Sequence, residues 1–157
     1  MAEQNEIMRA KETYETLCAA IENRGWTFDR HVDKLVIDFT VSGEDIPMDF
    51  VVIVDEKRQL IRLVSLLPFT VPEDKRVAGA VMACAASYGL ADGNFDFDMA
   101  DGRMYFRQTA SFRGGRVGEG LFHRMISVAC STVDRYNDSM LRVCKGMLSL
   151  EDFLSKV

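Results

Sequence analysis

Residues 93–106 read "GNFDFDMADGRMYF", with three aspartates and a glycine inside positions 96–102. Two structures compete for such a stretch, a calcium loop and the corner of a β-hairpin. An EF-hand loop needs oxygen donors at its first, third and fifth positions, glycine at the sixth and glutamate at the twelfth. Counting from Asp96 puts Ala100 fifth, Asp101 sixth and Arg107 twelfth; counting from Asn94 puts Met99 sixth and Tyr105 twelfth. An arginine in the bidentate position would repel the ion, so neither frame serves. The hairpin accounts for more residues, because Asp-Gly is a preferred pair where two consecutive positions need positive φ. With the corner at Asp101-Gly102, Met99 faces Met104 and Phe97 faces Phe106 on an apolar face. On the other face Asp98 meets Tyr105 and Asp96 meets Arg107, a cross-strand ion pair worth ~0.2–1 kcal/mol. The expectation is a metal-free hairpin over 93–110 whose aspartates are a solvated face.

Upstream of the hairpin, "KLVIDFTV", "IPMDFVVIV" and "QLIRLVSLLPF" are strands separated by the turns "SGED" and "DEKR", which predicts an antiparallel meander. The meander follows an amphipathic helix over 5–24, where Ile7, Ala10, Tyr14, Leu17, Cys18 and Ile21 keep helical spacing and Gly25 is the stop. "WTFDR" then begins extended structure. "PEDKR" starts a second helix with acidic residues in its first turn, and Val77, Val81, Ala85 and Tyr88 carry it to Gly89. Downstream, Phe122, Met125, Ile126, Ala129 and Val133 mark a third helix from about Leu121 to Tyr136. "NDSMLRVCKG" reads as a short separate helix and "SLEDFLSKV" as a last turn capped by Ser149. The result is one α+β domain over 1–157 with an antiparallel sheet and the order α-β-β-β-α-β-β-α.

Composition narrows the function classes. A net charge of −5 argues against broad electrostatic binding to nucleic acid or to an anionic membrane. No run approaches the ~18 apolar residues of a membrane span. The N-terminal "MAEQNEIMRAKE" lacks an apolar secretory segment, which leaves the cytoplasm as the expected location. Cys18, Cys84, Cys130 and Cys144 form no CxxC pair and sit among apolar neighbours, so four free buried thiols are expected instead of a zinc site. Catalysis by a Cys–His pair would need an accessible thiol beside His31 or His123, and both histidines read as surface residues. "GGRVGEG" at 114–120 lacks the lysine and hydroxyl of a phosphate-binding loop and reads as a connector. Arg103, Arg107, Arg113, Arg116 and Arg124 give this region a basic character, expected as a solvated and partly ion-paired face.

The ordered set of "VPEDKR", a helix ending in "YGL", "GNFDFDMADGRMYFRQ" and "VDRYNDSMLRVCKG" resembles the bacterial YbjN family across roughly residues 10–150. That resemblance implies a type III secretion chaperone-like fold and a non-enzymatic, often dimeric domain of a regulatory or stress-related kind. It brings no catalytic residue and no cofactor to transfer.

One feature of the meander bears on partners. The strand holding Val51 and Ile53 is apolar on both faces, and so is the strand holding Ile61, Leu63 and Leu67. Three helices can cover one side of a five-stranded sheet. The expected interaction surface is therefore Val51, Ile53, Ile61, Leu63 and Leu67 on the uncovered side, serving a homodimer or an unknown protein partner. A small-ligand sensor or a small enzyme is the alternative.

Overall fold

The computed structural model describes residues 1–157, Ala2 by its backbone alone. Its sheet has six antiparallel strands in the order β1-β2-β3-β4-β6-β5. They are β1 (Asp29–His31), β2 (Val36–Val41), β3 (Met48–Asp55), β4 (Leu60–Thr70), β5 (Asn94–Phe97) and β6 (Arg103–Ser111). The helices are α1 (Ala2–Asn23), α2 (Arg76–Tyr88), α3 (Glu119–Cys144) and α4 (Leu150–Leu154). The expected architecture holds, extended by the short β1 and the terminal α4.

Alternation builds the core. Ile37, Phe39, Phe50, Val52, Val54, Ile61, Leu63, Met104 and Phe106 are all buried, and each belongs to the sheet face under the helices. Phe39 stacks on Phe50 at 5.5 Å, and Phe95 meets Phe106 edge-on at 5.4 Å and Tyr136 of α3 at 5.5 Å. Aromatic rows of this kind add ~0.5–1.5 kcal/mol per pair beyond simple burial. Lys75 donates through Nζ to the carbonyls of Val143 (3.1 Å) and Cys144 (3.2 Å), placing a cation on the C-terminal end of α3.

The hairpin forms with a longer turn than the Asp-Gly pair alone suggests. Phe97 pairs with Met104, Asp96 with Tyr105 and Phe95 with Phe106, so the register moves by two residues and the apolar face is preserved. Asp98 is the cause: its Oδ1 accepts from Ala100 N–H at 2.8 Å, and its carbonyl accepts from Gly102 N–H at 2.8 Å. That local turn competes successfully with a two-residue corner. Asp96 still reaches Arg107 diagonally at 2.8 Å, and Asp101 is bound to Arg103. Every aspartate of the opening stretch is thus engaged by a side chain or a backbone N–H.

Two helices also differ from expectation. The α3 helix runs unbroken through "NDS", because Asn137, Met140, Val143 and Cys144 continue its buried stripe where a boundary is expected near Tyr136. In α2 the buried residues are Gly79, Met82, Ala83 and Ala86, so Val77, Val81 and Tyr88 lie outside. The reason is close approach: a Cβ on Gly79 would sit 2.7 Å from the Phe97 ring. The face of Gly79, Met82, Ala83 and Ala86, and not that of Val77, Val81 and Tyr88, is buried. Ser149 caps α4 as expected, with its Oγ accepting from Asp152 N–H at 3.0 Å.

Candidate interaction surfaces

All of the helices lie on one side of the sheet, and register fixes what the other side presents. One cross-strand row reads Asp29, Asp38, Val51, Val64, Arg107 and Asn94 from β1 to β5. The adjacent row reads His31, Val36, Ile53, Arg62 and Thr109. Leu60 faces Asp55 at one end of the face, and Leu66 faces Tyr105 toward the other. Val51, Ile53, Leu60 and Val64 are half-buried by their own neighbours, and Leu66 is exposed.

Two of the five residues expected on this surface are there, Val51 and Ile53. The other three are not: Ile61, Leu63 and Leu67 are at most 2% exposed and belong to the core. The correction is one of phase. Asp55 pairs with Leu60, so Val52 lies beside Leu63 and Val54 beside Ile61, leaving Val51 and Ile53 beside Val64 and Arg62. Gln59 sets this turn, with φ at 54°, its Nε2 donating to the carbonyls of Glu6 (3.1 Å) and Glu56 (2.6 Å) and its Oε1 accepting from Arg9 (3.1 Å). The C-terminal segment does not cross the open face, since α4 packs on α2 and α3.

A second apolar surface lies on the helical side. Val81, Cys84, Ala85, Tyr88, Leu154 and Val157 line a groove of about 560 Å³ between α2 and the C-terminal end. Tyr88 is 95% exposed and Val77 72% exposed, the barest large apolar residues of α2. Sequence periodicity assigns these residues to the core, since Val77, Val81 and Tyr88 have the right spacing. The contrary signal was the competing small-residue face of Gly79, Ala83 and Ala86, which permits closer packing on an aromatic strand.

Both histidines are held by neighbouring side chains, His31 at the edge of the open face and His123 on α3. His31 Nε2 lies 2.6 Å from Asp38 Oδ2, and His123 Nδ1 accepts from Arg24 Nε at 3.1 Å. Arg24 also donates to the His123 carbonyl at 2.9 Å and lies over the Trp26 ring at 5.0 Å, tying α1 to α3. Of the arginines after the hairpin, Arg116 pairs with Glu12 at 3.1 Å and Arg124 with Asp92 at 3.8 Å, while Arg113 donates to the Arg58 carbonyl at 3.4 Å.

All four cysteines are free, but they are not all buried: Cys84 is exposed on the groove and Cys130 is intermediate. Burial pushes the Cys18 and Cys144 thiols up, and pushes Cys130 up to about 11. The thiolate is the reactive form, so a neutral buried thiol is inert. Treating the folded protein with a maleimide at about pH 8 should therefore modify Cys84 first, with Cys130 reacting roughly a hundredfold more slowly or less. Raising the pH toward 11 increases the Cys130 rate. Peptide mapping after brief labelling checks the order; equal labelling of Cys84 and Cys144 would contradict the burial.

This fold, an antiparallel sheet with helices packed on one face, is of the type III secretion chaperone-like class. It superposes on a chain of the HopA1-SchA chaperone-effector complex with a TM-score of 0.50 at 14% identity, covering 89% of this chain and 95% of that one. The crystal structure of YbjN from E. coli superposes with a TM-score of 0.61 at 14% identity, covering 85% of this chain and 93% of that one. The model of the YbjN family, described as "Putative bacterial sensory transduction regulator", matches residues 13–142. The chain belongs to the YbjN family. No curated protein sequence matches it. Among the described residues, no helix is long and apolar enough to cross a membrane.

Proposed function

We propose that the chain is a non-enzymatic, regulatory protein-binding module of the cytoplasm that works as a homodimer and holds a partner chain in its α2–α4 groove. The observation that carries this reading is the line of exposed apolar residues Val77, Val81 and Tyr88 along α2, continued by Leu154 and Val157. Scattered exposed apolar residues are ordinary, but a contiguous patch beside a groove marks an interaction site. Its shape suits the apolar face of an amphipathic helix, anchored at intervals of three and four residues. Family membership supports a regulatory role, and a chain of this fold is one component of a chaperone-effector complex. The engagement of both histidines and the raised thiols favour binding over nucleophilic catalysis.

A photoreactive amino acid placed at position 88 in the native cell tests the reading. A discrete heterologous adduct is expected, and Val81→Asp should weaken its formation by about tenfold or more, as for an anchor at the centre of an interface. Finding only self-adducts, or an adduct indifferent to Val81→Asp, would overturn it.

A further inference from the structure

The open sheet face carries its charge in two halves. On β1, β2 and β3 it presents Asp29, Asp38, Asp49 and Asp55, with His31 as the one basic group among them. On β4 and β6 it presents Arg62, Arg103 and Arg107, opposed by Asp96 on β5. Between the halves runs the apolar strip of Val51, Ile53, Val64 and Leu66.

A face that is acidic on one side, apolar in the middle and basic on the other is complementary to itself. Consider two copies stacked face to face about a two-fold axis that runs along the strands between β3 and β4. The axis exchanges β3 with β4, β2 with β6 and β1 with β5, given the order of the sheet. Within the row that contains both, Asp38 of one copy then faces Arg107 of the other, and Val51 faces Val64. An axis running across the strands would instead set the acidic halves against each other, which electrostatics disfavours.

We infer that the helix-free face binds a second copy of this chain in this orientation, as an isologous sheet-on-sheet dimer. The inference rests on the dimeric part of the function proposed above and is independent of the α2–α4 groove. Asp38 is 42% exposed at its side chain and held only by His31, and Arg107, 45% exposed and paired with Asp96 at 2.8 Å within its own chain, takes Asp38 of the second copy as a further partner. Arg62 is 39% exposed, yet its Nε is shielded from solvent without an acceptor, so this guanidinium retains an unmet donor. Six strands span about 25 Å and the face is about 20 Å deep, so pairing buries roughly 1,000 Å² in total. That area sits at the lower end of specific interfaces and corresponds to a weak, concentration-dependent dimer.

Charge reversal provides the experiment. Asp38→Lys/Asp49→Lys reverses two of the four acids of the acidic half, and Arg62→Glu/Arg107→Glu reverses two of the three arginines of the basic half. Sedimentation equilibrium should show a wild-type dimer, while each variant alone dissociates at least about tenfold more readily. An equimolar mixture of the two should restore dimers containing one copy of each, which also shows that both variants are folded. The wild-type dimer should weaken as salt rises from about 0.05 to 0.5 M, a readout independent of any variant. Variants that dimerise as well as the wild type would place the dimer on another face, leaving dimeric function intact but overturning this assignment. A wild-type monomer under low salt at high concentration would overturn the dimer itself, without touching partner capture at position 88.

Discussion

Truncating Leu63 to Ala should cost about 2–5 kcal/mol of stability, whereas Val51→Ala should cost less than about 1 kcal/mol. The two residues occupy adjacent strands and are both aliphatic, but Leu63 is 1% exposed in the core while Val51 is half-buried on the open face. Removing Leu63 leaves a cavity in a row bounded by Val52 and Gln108, its cross-strand neighbours. The surrounding packing is too dense to collapse fully into that space. Removing Val51 merely wets a surface already in partial contact with water. Urea denaturation at a protein concentration low enough to keep the chain monomeric provides the measurement. Equal losses for the two variants would mean that the phase between β3 and β4 is wrong, and with it both the core and the open face.

Gly102→Val should be comparably damaging, by about 2–4 kcal/mol, through a different mechanism. Gly102 is buried at the end of the hairpin with φ at +78°, a region that β-branched residues avoid. A Cβ there would lie 2.3 Å from the Val71 carbonyl oxygen, which is backbone and cannot rotate away. The same glycine accepts a hydrogen bond from Val71 N–H at 2.8 Å, so relieving the clash separates the hairpin from the segment leading into α2. Gly114→Ala serves as the comparison. Its φ is +76°, but no atom lies within 4 Å of the added carbon, so only the conformational cost of about 1 kcal/mol remains. A thermal melt in which both variants lose the same stability would remove the steric argument and leave strain alone.

Much of the architecture was legible because local signals and long-range packing agree. Alternation along 35–41 and 93–106, the turn residues between strands, and the capping serine at 149 each point to one structure. The family resemblance drawn from ordered motifs is matched by the family model over residues 13–142. Where local and tertiary preferences diverge, the sequence is ambiguous. "NDS" at 137–139 favours a helix end by propensity, yet the continued apolar stripe at Met140, Val143 and Cys144 holds α3 together against the sheet.

The candidate surfaces were less legible, for a reason visible in two elements. In β4, Leu60, Arg62, Val64 and Leu66 alternate with Ile61, Leu63, Ser65 and Leu67, so each face carries three apolar residues and one polar one. With a single polar residue on each face, Arg62 on one and Ser65 on the other, alternation fixes that the strand exists but marks its solvent side only weakly. The phase is set by the turn at Glu56–Gln59, which buried Gln59 anchors to α1 through Glu6 and Arg9. These contacts span 50 and 53 positions, and no local pattern contains them. Helix α2 repeats the problem: its larger apolar residues and its small ones each make a plausible inner face. The Phe97 ring, pressed where a Cβ on Gly79 would lie, selects the face that carries Gly79, Met82, Ala83 and Ala86. By itself the sequence determined the order of strands and helices, because periodicity and turn chemistry are local properties. Only the tertiary structure decided which faces are buried and which remain for partners, because burial depends on the distant segment that packs on each face.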